Sequence, residues 1–375
     1  MPVSLVRFRP LGPWRIGPDS GARDRVDLVY HSDALFSAVT QAMALLGSVD
    51  EWLDAVARNP NRVPDVRFGS MFPFVRNLLL VTPPRSLWPP APSVKIRYKS
   101  ARFVPVNLIE SMLAEQAIDE NRWAIDAESR SLIASGSEGP FRVNVRSSAA
   151  VDRLDPALTC SHSTACIEFR GDSGLWTLVV FANDEARSRW QPRVRSALRL
   201  LADSGFGGER SRGWGRSSDP EWSDWNRFRQ PIAGETAHWL LSLYSPAAED
   251  AVDWNTGNYS LVSRSGRAYN GELKRADQMI EEGSVLVARN APRGEARKID
   301  VNGSPHPIYR AGFAVTIPIP WKAAGAPAAS IQAEIHAEEH AEQSGAGASA
   351  GPPDIGTVES NSETAASPLP PEGAD

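Results

Sequence analysis

The sequence predicts an α+β fold with a glycine-rich loop and long insertions. Three observations support this class. A strand-like N-terminus leads into an amphipathic helix, a second strand-like run leads into a helix that ends at a glycine-rich loop, and several strand-like segments follow that loop. The 375 residues suffice for two packed domains and a tail.

The first strand–helix pair begins with a predicted strand over Val3–Arg9, where alternate residues are apolar. Residues 27–31 are predicted to form another strand. Ser32 is a good N-cap and Gly47 a good C-cap, and the apolar residues at helical spacing between them are Leu35, Val39, Met43 and Leu46. This pattern predicts a helix over 32–46.

The second pair consists of a buried strand over 175–181 and a helix over 188–205. Pro192 is expected in the first turn of that helix and Gly205 at its end. The apolar stripe of the helix is Trp190, Val194, Ala197, Leu198 and Leu201.

The remaining segments divide the chain into three parts. Residues 1–230 are predicted to form one domain, with a proline-rich insertion at about 48–170 and the glycine-rich loop at 205–217. Residues 235–322 form a smaller second domain, whose strand-like segments are 237–245, 258–266, 283–289 and 307–319.

The tail, 323–375, contains nine acidic residues, no Lys or Arg, and almost no aromatic or branched residues after Ile335. Such a segment is predicted to be disordered. Residues 1–322 hold 36 acidic and 40 basic residues, a net charge of +4, which is compatible with a polyanionic partner.

The composition also indicates the compartment. No apolar run approaches the roughly 20 residues that cross a membrane, and residues 1–30 lack the apolar core of a signal peptide. Cys160 and Cys166 are the only cysteines, so no disulfide framework is implied. These features predict a cytoplasmic protein with no membrane contact.

The loop GFGGERSRGWGRS, 205–217, holds five glycines and three arginines. It lacks the lysine and the strand–loop–helix context of a nucleotide-binding loop. Arginine suits bidentate phosphate contacts, glycine permits a close approach of backbone to RNA, and Phe206 and Trp214 could stack on bases. The alternative is a long turn with a solvated basic face.

Several motifs resemble one family. The segment GGERSRGWGRS is similar to the glycine-rich loop of the RAMP proteins of CRISPR systems. The order of further segments resembles the subunit of type III-A (Csm) effector complexes that caps the 5′ end of the guide RNA; these segments are HSDALFSAV, GSMFPF, VRSSAAVDRLD, YSLVSRSGRAY, EEGSVL and IYRAGFAVTIPI. The resemblance spans about 3–319.

The resemblance implies two ferredoxin-like (RRM-like) domains and a non-enzymatic role without cofactor or metal. It implies that the protein grips the repeat-derived 5′ tag of the crRNA. The implied protein partners are the large polymerase-type subunit and a backbone RAMP subunit. The expected RNA-binding residues are His31, Ser32, Gly205, Gly207, Gly208, Arg210, Ser211, Arg212, Gly213, Trp214, Gly215, Arg153 and Arg264.

A βαββαβ topology places the start of the first helix beside the loop that precedes strand 4. The sequence therefore predicts that His31 and Ser32 lie next to 205–217, with the helix N-terminus open to a phosphate.

Other interpretations remain open on the residues alone. His31 could be the general base of a metal-independent crRNA-processing endoribonuclease. The protein could also be the equivalent subunit of a type III-B complex. The segment CSHSTAC, 160–166, offers too few ligands for a structural zinc site. Basic residues alternate along the segment KIRYKSAR, and the pattern is compatible with either a solvated strand face or an RNA contact. These residues are Lys95, Arg97, Lys99 and Arg102.

Overall fold

The computed structural model describes residues 1–18, 20–90, 95–151, 159–228, 236–266, 275–299 and 307–321. Residues 1–322 cluster as one compact unit. The predicted disordered tail and the predicted RNA contact Arg153 lie outside the described residues.

Four α-helices occur in the described chain: α1 Ser32–Leu45, α2 Val49–Val56, α3 Val106–Leu113 and α4 Asp184–Ser204. The strands of the first half are β1 Val3–Phe8, β2 Val66–Phe68, β3 Phe72–Val75, β4 Leu78–Val81, β5 Val104–Pro105, β6 Trp123–Asp126, β7 Ser131–Ala134, β8 Phe141–Val151, β9 Thr159–Phe169, β10 Ser173–Phe181 and β11 Glu221–Asp224. Those of the second half are β12 Thr236–Leu240, β13 Val252–Asn258, β14 Leu261–Arg264, β15 Asp277–Ile280, β16 Val285–Ala288, β17 Gly294–Ile299, β18 Ile308–Phe313 and β19 Thr316–Pro320.

The N-terminal sheet has the order β11-β1-β10-β3-β4-β5, and β2 also pairs with β10. Its strands are antiparallel to their neighbours. If β1, β2/β3, β10 and β11 are counted as strands 1 to 4, the order is 4-1-3-2 with α1 and α4 as the crossovers. This is the ferredoxin-like arrangement, and the predicted fold class is confirmed.

The predicted second strand–helix pair is present but longer than expected. All nine residues of β10 are buried, as its apolar run predicts. Helix α4 begins at Asp184, because Asn183 accepts a hydrogen bond from the amide of Ala186 at 2.8 Å. Pro192 therefore lies inside the helix, and its predicted place in the first turn is wrong. Gly205 ends the helix at φ 94°, as predicted.

The predicted strand at 27–31 is not formed. Asp27 instead accepts the amide of Val29, and only Tyr30 makes an isolated bridge, with Met71. The helix that follows was placed correctly, but His31 occupies the N-cap position and Ser32 is the first helical residue. Side chains at the predicted stripe are buried except that of Leu46.

The irregular stretch predicted at 48–170 contains part of the main framework. Strands β2 to β5 belong to the N-terminal sheet, whereas β8 and β9 form a separate two-stranded arm. The basic segment 95–102 is not a strand, since Tyr98–Ser100 forms a 3₁₀ turn with Tyr98 buried.

The C-terminal sheet has the order β13-β16-β12-β19. Counted along the chain, this is again 4-1-3-2. The second crossover is the β17–β18 hairpin instead of a helix, and the described residues of the first crossover, 241–251, contain no helix. Helix α1 packs on β18, where Phe36 meets Phe313 with ring centroids 6.1 Å apart. Helix α1 thus contacts both the N-terminal sheet, through β2, and the β17–β18 hairpin.

Candidate functional site

A cleft of about 860 Å³ lies where the start of α1, the glycine-rich loop, residues 15–23 and the β14 and β18 strands converge. We call it the α1–loop cleft. Its described lining includes five arginines and a single acidic residue, Asp33, so its electrostatic character is basic. The arginines are Arg15, Arg23, Arg210, Arg264 and Arg310. The predicted proximity of His31 to the loop is confirmed, because both line this cleft.

The glycine-rich loop is pinned to the segment that follows β1. The amide of Gly208 donates to the carbonyl of Arg15, and the amide of Gly215 donates to that of Pro13, both at 2.9 Å. Within the loop, the amide of Phe206 donates to the carbonyl of Gly215 at 3.0 Å. The loop is therefore a well-bonded part of the fold.

Its glycines mainly allow this internal packing. A Cβ at Gly205, Gly207 or Gly215 would overlap a carbonyl oxygen of Trp214, Arg15 or Phe206, respectively. Gly208 faces the side chain of Arg15. The prediction that these glycines give RNA a close approach to the backbone is corrected accordingly: the close approach is made by the protein's own chain.

Gly213 is the exception. It has φ 77° and nothing within 4 Å of the position of a Cβ. It lies in an exposed outer turn of the loop, Arg210–Gly213, whose first three residues form a 3₁₀ helix.

The two aromatic residues of the loop are buried. Phe206 stacks on Trp14 with centroids 5.1 Å apart and is 1% exposed. Trp214 is 7% exposed, and the guanidinium of Arg146 lies 5.8 Å from its ring centroid. Since neither ring is accessible, the expectation that they stack on bases is wrong.

The arginines of the outer turn point in different directions. Arg210 is exposed and lines the α1–loop cleft. Arg212 lies on the β8–β9 arm, where it hydrogen-bonds His162 Nε2 at 2.9 Å and pairs with Glu209 at 3.2 Å. Ser211 between them is exposed. Of the two, Arg210 is the arginine available to a ligand in the cleft.

His31 lies between two carboxylates. Its Nδ1 is 2.8 Å from Glu282 and its Nε2 is 2.9 Å from Asp27, and the imidazole is 3% exposed. Glu282 also accepts the hydroxyl of Ser70, and that hydroxyl oxygen accepts the amide of Ser32 at 2.9 Å. This closed network joins the start of α1 to the turn before β16.

The charges of this network set the protonation of His31. Burial alone would lower the pKa of His31, but Glu282 and Asp27 outweigh it and raise the pKa to about 10. The pKa values of both carboxyl groups are lowered despite burial, because His31 stabilises their charged forms. His31 is therefore a buried cation at neutral pH, with both ring nitrogens engaged, and is not poised to act as a general base.

Ser32 and Arg264 also connect the two halves of the chain. The Ser32 hydroxyl accepts the amide of Leu243 at 3.0 Å. Arg264 forms a bidentate pair with Asp33, at 3.0 and 3.2 Å, and only 8% of the residue is exposed. The predicted RNA-binding role of His31, Ser32 and Arg264 is corrected to an internal role, since their polar atoms are used within the protein.

Sequence reasoning missed the partners that give these residues their role. Glu282 and Ser70 lie in the segments EEGSVL and GSMFPF, and Asp27 lies in the predicted strand 27–31, none of which indicates a partner for His31. The charges of His31 and Asp33 could have indicated such partners. Both residues lie at the start of a helix that packs into the core, and charged groups in such a place require opposite charges nearby.

No group of three His, Cys, Asp or Glu within the described ranges could hold a metal ion. The zinc alternative also fails on distance. Cys160 and Cys166 are six residues apart on the extended strand β9, about 20 Å at the rise of a strand. His162 is instead bonded to Arg212. In the part of the chain that the structure describes, no helix is long and apolar enough to cross a membrane.

Comparison with protein families gives a match in the C-terminal part of the chain. Residues 234–319 match the family model of the CRISPR Csm4 C-terminal domain. The similarity to this family model is confined to that C-terminal segment. No curated protein sequence matches the chain.

Solved Csm4-containing structures have the same fold over most of the chain. A Csm3–Csm4 subcomplex of the type III-A CRISPR-Cas interference complex matches with a TM-score of 0.59 and 15% identity, covering 85% of this chain and 99% of that chain. Csm1–Csm4 cassettes in complex with cA4 and with pppApA each match with a TM-score of 0.53, at 17% and 18% identity; each covers 86% of this chain and 99% of that chain. The fold that the chain shares with these structures therefore extends beyond residues 234–319.

Proposed function

We propose that this protein is the Csm4-type subunit of a type III-A CRISPR interference complex, which grips the repeat-derived 5′ tag of the crRNA and links the large polymerase-type subunit to the backbone RAMP subunits. The complex acts in the cytoplasm. The observation that carries the proposal is the Csm4 C-terminal domain match at 234–319, joined to a Csm4-like fold over 85% of the chain.

The lining of the α1–loop cleft supports the proposal that the protein binds RNA. The lining is basic, and the exposed guanidinium groups of Arg23 and Arg210 are suited to phosphate oxygens. Single-stranded RNA combines backbone phosphates with accessible bases and fits a cleft of this size and charge.

The protein has no catalytic role in this proposal. Support comes from His31, the residue on which the endoribonuclease alternative depends. It is buried as a cation between Asp27 and Glu282, so it can neither accept a proton from a 2′-hydroxyl nor reach one without breaking two ion pairs.

The test is co-expression with the large and backbone subunits and a crRNA precursor, followed by isolation of the complex. We expect the full chain to recruit both subunits, and the copurified RNA to share one 5′ end derived from the repeat. Arg210→Ala should reduce RNA retention without loss of the protein partners, whereas the exposed Arg199→Ala on α4 serves as a matched control.

Two outcomes would contradict the proposal. Cleavage of repeat RNA by the purified chain, without metal and abolished in His31→Ala, would favour the endoribonuclease. Assembly only with type III-B partners would assign the protein to the other complex class.

A further inference from the structure

The α1–loop cleft has one aromatic residue that is both accessible and part of its wall. The described lining contains three aromatic rings: Tyr30, Phe206 and Tyr309. Tyr30 and Phe206 are 6% and 1% exposed, whereas Tyr309 is partly exposed. Tyr309 is therefore the most accessible of these three rings to a base that enters the cleft.

The position of Tyr309 follows from the pleat of β18. Tyr309, Ala311 and Phe313 alternate along the strand and so point to the same side. Phe313 and Ala311 are buried, and Phe313 packs against Phe36 of α1. Tyr309 is the outermost residue of this apolar row and lies at the end that lines the cleft.

The surroundings of Tyr309 suit a nucleotide. Lys298 is its register partner on β17 and is exposed. Helix α1 supplies Ser37 and Gln41 to the lining, whose hydroxyl and amide groups can bond to a base edge. No hydrogen bond to the Tyr309 hydroxyl occurs among the described residues.

We propose that Tyr309 is a stacking platform for one base of the single-stranded RNA held in the α1–loop cleft. This inference rests on the proposed function and adds a specific residue to it. It replaces Phe206 and Trp214, which are buried, as the aromatic contact. A partly buried ring on a strand loses little conformational freedom when a base stacks on it, so the contact is favourable and tolerant of base identity.

The experiment measures the affinity of the full chain, in its complex with the large and backbone subunits, for RNA oligonucleotides that carry the repeat-derived tag. Tyr309→Leu keeps an apolar, though shorter, side chain and removes the aromatic face. We expect it to weaken binding by about 5- to 150-fold, the range for loss of one base–aromatic stack. Tyr309→Phe should bind as the wild type does.

A single abasic site is then moved through the tag. At one position it should weaken binding to the wild type but not to Tyr309→Leu, which identifies the stacked base. The stacking inference fails, with the proposed function intact, if the wild type binds the tag and Tyr309→Leu binds equally well at every position. If the wild-type complex shows no preference for the tag over a scrambled oligonucleotide, the proposed function itself fails.

Discussion

The start of α1 and the outer turn of the glycine-rich loop border the same cleft, and both carry charged and hydroxyl side chains. They differ in whether these side chains have partners inside the protein or are exposed. At the start of α1, His31 is buried, the side chain of Asp33 is 9% exposed, and each meets an opposite charge from the second half of the chain. In the outer turn, Arg210 and Ser211 are exposed. Proximity to a cleft is thus a weaker indicator of ligand binding than burial and the presence of an internal partner.

The comparison predicts that removing His31 mainly affects stability. His31→Ala leaves Glu282 buried without its counter-charge, and breaking such a pair costs about 3–5 kcal/mol. Urea unfolding of the full chain measures the effect. The matched control is His162→Ala on the β8–β9 arm, where we expect a change of less than about 0.5 kcal/mol. Equal stability of both variants would mean that the network contributes nothing to folding.

A second prediction concerns pH. The pKa of His31 is about 10 in the folded protein against an ordinary value of 6.5, so the folded state binds this proton more tightly. Its contribution is complete below pH 6.5 and is lost as the pH rises from 6.5 to 10. The slope approaches about 1.4 kcal/mol per pH unit for one proton. Unfolding measured over this range should show the slope in the wild type and lose it in His31→Gln.

The loop itself offers a matched pair of glycines. Gly215→Ala introduces an overlap with the backbone of Phe206, costing about 1–3 kcal/mol, in addition to about 1–2 kcal/mol for a left-handed φ. Gly213→Ala incurs only the second cost, because its surroundings are open. Thermal unfolding of both variants should therefore rank Gly215→Ala as clearly less stable. If Gly213→Ala were the less stable variant, the inference that Gly215 is the tightly packed position and Gly213 the open one would be wrong.

The smallest expected effect belongs to the exposed turn. Arg210→Ala should weaken tag RNA binding by about 1 kcal/mol, roughly fivefold, and leave stability unchanged. The salt dependence of binding should fall by about 0.7 for one lost phosphate contact. Arg212→Ala should change RNA affinity less, because that side chain lies on the β8–β9 arm. Equal losses of RNA affinity for Arg210→Ala and Arg212→Ala would contradict the inference that Arg210, and not Arg212, is available to a ligand in the cleft.

The sequence predicts much of the framework because its helices and central strand have strong local patterns. The stripe of α4 and the apolar run of β10 needed no tertiary information. The start of α4, by contrast, required tertiary information. Pro192 locally indicates the first turn of a helix, but the cap is Asn183, nine residues earlier, and the buried apolar stripe stabilises the helix on both sides of the proline. Strands β13 and β17 carry mixed polar residues and were not predicted, since their pairing partners determine them.

The candidate site was harder to predict for a physical reason. A glycine-rich, arginine-rich segment has the same composition whether its glycines face a ligand or another part of the chain. Only the positions of Pro13 and Arg15, about 200 residues earlier in the sequence, separate these cases. Likewise, one of the two carboxylate partners of His31, Glu282, is 251 residues away, so Asp27 alone could not distinguish a buried cation from a reactive base.

That separation also bears on how the chain is made. At a synthesis rate of about 5–20 residues per second, Glu282 leaves the ribosome roughly 13–50 seconds after His31. Throughout this interval His31 lacks its partner Glu282, and α1 lacks the β18 strand that packs on it. The ion pair between His31 and Glu282 and the contact between α1 and β18 can therefore form only after the C-terminal strands have been synthesised.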